Sequence, residues 1–132
     1  MRAIHVSLSV RNLPRSMAFF ADLGFAFSPE RPGCETASMA VAENIRVTFI
    51  SEEWFRGRID GDISHDTGGG GFVINLSAGS EQEVDDIVAK AIYAGAKPCP
   101  IMEDRPVYSG SFQDLDGHIW QFTCPPRSVP AP

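Results

Sequence analysis

The sequence predicts an α+β protein built from two βαβββ modules. A strand, an amphipathic helix, a glycine stop and three further strands occur twice, offset by roughly 70 residues, a pattern typical of internal duplication. Between the repeats, residues 60–71 contain five glycines, three aspartates and no aromatic residue, as expected of a connection. One apolar face per sheet predicts helices on the outside and a curled mixed sheet around a cup.

The first module begins with a strand at residues 3–10, which are rich in β-branched and hydroxyl side chains. Asn12 is the predicted helix N-cap, Pro14 lies in the first turn, and Gly24 ends the helix. The apolar stripe of this helix is Leu13, Met17, Phe20 and Leu23. The predicted elements that follow are a strand at 25–27, a turn at 29–34, strands at 35–42 and 45–51, and a helical turn at 52–58.

The second module repeats this plan from residue 72. Residues 72–77 predict a strand, and Ser80 with Glu83 forms a capping box. The stripe Val84, Ile87, Val88 and Ala91 predicts a helix that ends at Gly95. The predicted elements that follow are an edge strand with two prolines at 97–102 and a hairpin of strands at 107–113 and 118–124.

We therefore expect a single domain with module one at about 1–59, a linker at about 60–70, module two at about 71–125 and a proline-rich tail at 126–132. A chain of 132 residues can bury roughly two thirds of its unfolded surface in a core. A net charge of −6 disfavours binding to nucleic acid or to anionic membranes.

The sequence also predicts the compartment. No apolar run approaches the roughly 20 residues of a membrane span. The N-terminus enters a strand pattern at once, which leaves no room for a signal peptide. The three cysteines are odd in number and widely spaced, so a reduced, cytoplasmic setting is expected.

Two motifs carry a family resemblance. Residues 4–25 read I-H-V-S-L-S-V-x-N-L-x-x-S-x-x-F-F-x-x-L-G-F, and residues 112–121 read F-Q-D-x-D-G-H-x-W-Q. They resemble the opening and closing motifs of the vicinal oxygen chelate superfamily, which includes glyoxalase I, extradiol dioxygenases and bleomycin-resistance proteins. The resemblance implies paired βαβββ modules, commonly completed in a homodimer.

The resemblance also implies where a metal would bind. Metal-dependent members use one His, Glu or Gln ligand from each of four strands. These positions fall on His5, on Thr48, on Val73 (or Phe72), and on Gln121, where such members usually carry glutamate. Thr48 offers only a neutral hydroxyl and Val73 offers no donor atom, so we expect no resident cofactor. A divalent metal at His5 and Gln121 is the alternative.

Strand parity predicts the lining of the cup. Ser7 shares the face of His5, Asn75 that of Val73, and Thr123 that of Gln121, which gives a polar, nearly uncharged surface. The predicted ligand-binding residues are Ser7, Thr48, Trp54, Asn75, Tyr108, Gln121 and Thr123. His5 is the candidate general base because histidine ordinarily changes charge near neutral pH. A half-buried histidine hydrogen-bonded to Gln121 or Thr48 is an equal alternative.

Other residues keep two interpretations. Trp54, Phe55 and Tyr108 fit an aromatic wall at the mouth of the cup or a dimer interface. His118 is expected to be structural or at the rim, and His65 to be solvated or part of a lid. Residues 68–71 are expected to form a flexible joint, because no Lys-Ser/Thr follows them and a strand comes next.

Two functions remain open at this point. The first is a protein that binds a small polar or aromatic molecule without a full metal site, as the bleomycin-resistance proteins suggest. The alternative is a divalent-metal-dependent lyase, resembling lactoylglutathione lyase, or a dioxygenase, either of which would use His5 and Gln121. The expected partners are a small-molecule ligand and a second copy of the chain, with no nucleic acid and no membrane.

Overall fold

A computed structural model describes residues 2–28, 35–57, 72–102 and 105–125. The chain divides into two compact units, Met1–Ser64 and His65–Pro132. Each unit contains a four-stranded mixed sheet, and the α+β class with two βαβββ modules is confirmed. The turn predicted at 29–34, the linker at 60–70 with His65 and the glycines 68–71, and the tail at 126–132 lie outside the described residues.

The first unit follows the predicted order of elements. Its elements are β1 (Ile4–Val10), α1 (Leu13–Asp22), β2 (Ala26–Phe27), β3 (Thr36–Ala42), β4 (Ile45–Ser51) and α2 (Glu52–Arg56). The strand order in the sheet is β1-β4-β3-β2, with β1 parallel to β4 and the other pairs antiparallel. The parallel pair requires a crossover, and that crossover contains α1, β2 and β3.

Local chemistry sets both ends of α1. The Asn12 side chain accepts a hydrogen bond from the amide of Arg15 at 3.0 Å, and Gly24 leaves the helix at a φ of 103°. The buried side of α1 includes Phe20, whose ring stacks on that of Phe49 in β4 with centroids 5.0 Å apart. The helix therefore covers one face of the sheet.

The second unit repeats this arrangement, and its edge strand is shorter than the sequence predicts. Its elements are β5 (Val73–Ser77), α3 (Glu81–Tyr93), β6 (Lys97–Pro98), β7 (Tyr108–Gln113) and β8 (Ile119–Cys124), in the sheet order β5-β8-β7-β6. The strand predicted at 97–102 does lie at the edge, but only two residues pair with β7. Proline has no amide hydrogen to donate to a sheet, and Pro98 and Pro100 occupy this segment.

The start of α3 is a variant of the predicted capping box. The Ser80 hydroxyl accepts from the amide of Glu83 at 3.1 Å, as predicted. The Glu83 carboxylate accepts from the amide of Gly79 at 3.0 Å, one residue before the cap. The first interaction satisfies an amide that the first helical turn leaves unpaired, and the second holds the residue before the cap.

None of the described helices is both long and apolar enough to cross a membrane.

In each unit the core lies between the helix and one face of the sheet. In the first unit the largest fully buried side chains are Val10, Phe20, Met39, Val47 and Phe49, and in the second they are Val84, Phe112 and Trp120. The strand residues in this set alternate with more exposed neighbours along their strands. The opposite face of each sheet is therefore left for polar side chains.

Gly110 in β7 allows α3 to approach the second sheet closely. A Cβ atom at this position would lie 2.8 Å from Cγ2 of Val88 and 2.9 Å from Cγ1 of Val84, both on α3. These separations are well inside van der Waals contact, and both valines belong to a packed helix face. No side chain fits here without a shift of the helix.

We predict that Gly110→Ala lowers the free energy of unfolding by about 1–3 kcal/mol, the usual cost of overpacking a core. Urea denaturation followed by circular dichroism measures this change. Gly79→Ala is the matched control, because a Cβ there meets nothing within 4 Å. Equal stability of the two variants would contradict the close approach of α3 to β7.

Candidate functional site

The turn between β7 and β8 is organised by the buried carboxylate of Asp114. Its Oδ1 accepts hydrogen bonds from the amides of Asp116 at 2.9 Å and His118 at 3.0 Å. Its Oδ2 accepts from the indole Nε1 of Trp120, a fully buried side chain, at 2.9 Å. Gly117 completes the turn at a φ of 88°, which favours glycine. Asp114 therefore sets the direction in which β8 leaves the turn.

The surroundings of Asp114 shift the pKa of its carboxyl group. Burial raises the pKa of this carboxyl group above its ordinary value, and it outweighs three influences that lower it: His118, the Trp120 N–H and the two backbone amides. His118 is half-buried beside the turn, and its amide donates to Asp114. A carboxyl group enclosed in this way serves the turn and is not available to a ligand.

The face of the first sheet that points away from α1 carries hydrogen-bonding groups. Ser7 in β1 is the register partner of Thr48 in β4, and Thr48 is in turn the partner of Ser38 in β3. His5 lies two residues before Ser7 on the same face and is exposed, not half-buried. The structure thus brings together three predicted site residues, His5, Ser7 and Thr48.

The expectation of a nearly uncharged surface is wrong for this sheet. Arg46 is the register partner of His5 and shares its face. Its Nη1 donates hydrogen bonds to the hydroxyls of Ser28 at 2.9 Å and Ser38 at 3.3 Å. Sequence reasoning missed Arg46 because it followed the position of the family's metal ligand to Thr48. Strand parity alone places Arg46, two residues earlier, on the same face.

The polar face of the second sheet is built from β5, β7 and β8. Gln121 is 5% exposed, and its register partners are Asn75 in β5 and Ser111 in β7. The hydroxyl of Thr123 donates to the side-chain oxygen of Asn75 at 3.1 Å. Three predicted site residues, Asn75, Gln121 and Thr123, therefore lie together, and Ser111 joins them.

Two aromatic candidates lie elsewhere. The Tyr108 hydroxyl donates to a carboxylate oxygen of Asp85 in α3 at 2.6 Å, which places this ring on the helix side of β7. That hydrogen bond, with burial and the charges of Asp85 and Glu81, raises the pKa of Tyr108. Trp54 is half-buried in α2, whose first amides are capped by Ser51. Neither residue lies on the strand faces described above.

A half-open groove of about 330 Å³ lies beside the edge of β7, lined by Val88, Ile92, Pro98, Cys99, Pro100, Ile101, Ser109, Gly110 and Ser111. Most of these side chains are apolar. The Ser111 hydroxyl already donates to the carbonyl of Cys99 at 2.6 Å. The described lining contains no charged side chain, so the polar sheet faces are the stronger candidates.

Solved structures show where this fold occurs. The hypothetical protein SA1046 from S. aureus is 25% identical, with 93% of each chain covered and a TM-score of 0.79. A glyoxalase-related enzyme from Fulvimarina pelagi is 18% identical, covering 93% of this chain and 86% of that one, with a TM-score of 0.76. A glyoxalase/bleomycin resistance protein from Albidiferax ferrireducens T118 is 20% identical, covering 92% and 97%, with a TM-score of 0.70.

The chain has the vicinal oxygen chelate fold. The resemblance predicted from the two sequence motifs is thus confirmed at the level of the fold. No family model and no curated protein matches the sequence. Proteins with this fold differ in chemistry, so the function of this chain depends on its own side chains.

The four positions implied for a metal do not fit a divalent cation here. His5 offers a nitrogen, Thr48 and Gln121 offer only neutral oxygens, and the 42% exposed Val73 offers no lone pair. None supplies negative charge, and the Arg46 guanidinium beside His5 would repel a cation. Within the described ranges, no three or more His, Cys, Asp or Glu side chains form a group that could hold a metal.

We predict that Asp114 makes the stability of the fold depend on pH. A raised folded-state pKa means that the folded chain holds this proton more tightly than the unfolded chain. Its contribution to the free energy of unfolding is therefore largest below the ordinary value of 3.8 and falls as the pH rises through the raised pKa. Chemical denaturation of the native chain and of Asp114→Asn between about pH 3 and pH 8 gives this contribution as a difference.

The expected result is a difference that favours the native chain most at acidic pH and declines towards neutrality. Asp22→Asn, at the exposed end of α1, controls for the loss of one carboxylate elsewhere. A difference that grows with pH would show that the hydrogen bonds to Asp114 outweigh its burial.

Proposed function

We propose that this chain binds a small polar or aromatic molecule on its polar sheet faces, without a full metal site. The observation that carries the proposal is the row of hydrogen-bonding side chains on β1, β3 and β4 opposite α1. Solvent-facing surfaces are usually covered by lysine, glutamate and aspartate, and these strands carry none of them on this face. Hydroxyl, imidazole and guanidinium groups instead offer hydrogen-bond donors and acceptors to a ligand.

The metal-dependent lyase or dioxygenase is the alternative. It would require His5 and Gln121 to bind a dication whose charge neither of them neutralises. Binding of a neutral or anionic organic molecule needs no such set. Proteins with this fold include a glyoxalase-related enzyme and a bleomycin resistance protein, so the fold is compatible with both catalysis and small-molecule binding.

The binding proposal predicts saturable shifts in ¹H–¹⁵N spectra when a library of small polar and aromatic compounds is added. The shifted amides should belong to β1 and β4 in the first unit. His5→Ala should weaken the best ligand by about tenfold, the cost of one hydrogen bond to a charged or polar group. Glu53→Ala, on exposed α2, is the control and should change nothing. If the shifted signals belong only to residues that line the groove beside β7, the proposal is contradicted.

Asn75→Ala in β5 tests the polar face of the second unit in the same way that His5→Ala tests that of the first. Exposed Asn75 is preferred to buried Gln121 for this test, since its loss disturbs less packing. Weakening by only one of the two variants would restrict the site to one sheet.

The metal prediction is tested separately. Protein purified without chelator should contain far less than one equivalent of any divalent metal by elemental analysis, and His5→Ala should leave that content unchanged. Stoichiometric metal that disappears in His5→Ala would establish the alternative function.

We also propose that the chain forms a homodimer. The apolar side chains of Ile4, Phe72 and Val73 are 57%, 54% and 42% exposed at the beginnings of β1 and β5, and contact with a second copy would remove them from water. Sedimentation equilibrium tests the assembly, and a monomer at all accessible concentrations would contradict it.

A further inference from the structure

The Arg46 side chain is held in place by two hydroxyls from neighbouring strands. Ser38 lies in β3, and Ser28 directly follows β2, where its amide donates to the carbonyl of Ser38 at 2.8 Å. Both hydroxyls accept from the same guanidinium nitrogen, Nη1. A long side chain that is fixed before a ligand arrives loses less conformational entropy on binding. Arg46 is therefore a preorganised group.

The positive charge of Arg46 lacks a counter-ion in the described part of the chain. Its two hydrogen-bond acceptors there are neutral hydroxyls, and β1, β3 and β4 place no carboxylate on its face. A guanidinium stays charged throughout the physiological pH range. Arg46 is half-buried, and a charge taken partly out of water interacts more strongly with an opposite charge, so this one is suited to an anion supplied from outside.

The geometry of the guanidinium defines the shape of that anion. With Nη1 bound to the serines, Nε and Nη2 form the edge that has no acceptor among the described residues. The N–H bonds along this edge are parallel and match two oxygens of a carboxylate or a phosphate. His5, the register partner of Arg46, adds a donor on the same face. The Ser7 and Thr48 hydroxyls, two register pairs further along the strands, add two more.

We propose that the small molecule bound by this chain carries an oxyanion, a carboxylate or a phosphate, and that Arg46 binds it. This inference rests on the proposed function and names the chemical class of its ligand. It assigns to Arg46 the role of charge recognition and to Ser28 and Ser38 the role of holding the guanidinium in place. It also accounts for a cation at the position next to His5, where a metal site would exclude one.

Three probes of similar shape test the proposal on the full chain: benzoate, phenyl phosphate and neutral benzamide. Each is titrated while ¹H–¹⁵N spectra follow the Arg46 Nε–H signal and the amides of β1, β3 and β4. Benzoate or phenyl phosphate should shift the Arg46 signal saturably, and benzamide should bind at least about tenfold more weakly. The stronger of the two anions identifies which oxyanion the site prefers.

Variants separate charge, shape and positioning. Arg46→Gln should weaken the preferred anion by about tenfold to a hundredfold, and Arg46→Lys, which keeps the charge but not the parallel N–H bonds, by less. Ser38→Ala should weaken it modestly while the charge remains. Arg15→Gln, on the exposed surface of α1, is the matched control and should bind as the native chain does. Thermal unfolding verifies that each variant is folded.

The outcomes distinguish this inference from the proposed function. Anions that bind equally well to the native chain and to folded Arg46→Gln, or that bind no better than benzamide, would overturn the role of Arg46 while leaving small-molecule binding intact. Failure of all three probes to shift the polar face would overturn the oxyanion inference, and failure of the wider library would overturn the proposed function itself. Loss of anion binding confined to the Arg46 and Ser38 variants supports the assignment.

Discussion

The second unit depends on one buried carboxylate. Asp114 accepts from two amides of its own turn and from the indole of Trp120, so it joins the turn to the core. Without this acceptor, a fully buried N–H would be left unpaired, which is more costly than the net gain from an average hydrogen bond. The registers of β7 and β8, and with them the placement of Ser111 beside Gln121, follow from the turn. Burial raises the pKa of Asp114, because a charged carboxylate loses hydration when it is enclosed.

Both units share one constraint, the alternation of side chains along their strands. Every second residue packs under α1 or α3, and the residues between them face away from the helix. In the first unit this places Val47 and Phe49 in the core and Arg46 and Thr48 on the polar face. The core residues of β4 can be apolar and tightly packed because the polar residues between them lie on the other side. The same alternation allows the residues on each face of a strand to be predicted from the sequence.

Local features could be predicted from the sequence, and features that depend on distant contacts could not. Asn12, Ser80 and the two helix-ending glycines act through neighbours within a few residues, so their roles were evident. The role of Gly110 depends on the approach of α3, which no local pattern encodes. The prolines near β6 indicated an edge strand but did not predict how short that strand is. The alternation of side chains along β4 places Arg46 on the polar face, but the motif positions of the metal ligands fall on Thr48. The cup and the dimer remain predictions.

The placement of Arg46 and its serines on the face away from α1 has a consequence for how such a protein can diverge. Substitutions on that face do not disturb packing under the helix, so their cost in folding free energy is small. A neutral side chain on that face can therefore be exchanged for a charged one, such as an arginine, one position at a time while the scaffold persists. New specificity then arises from single side chains on a sheet whose interior stays unchanged.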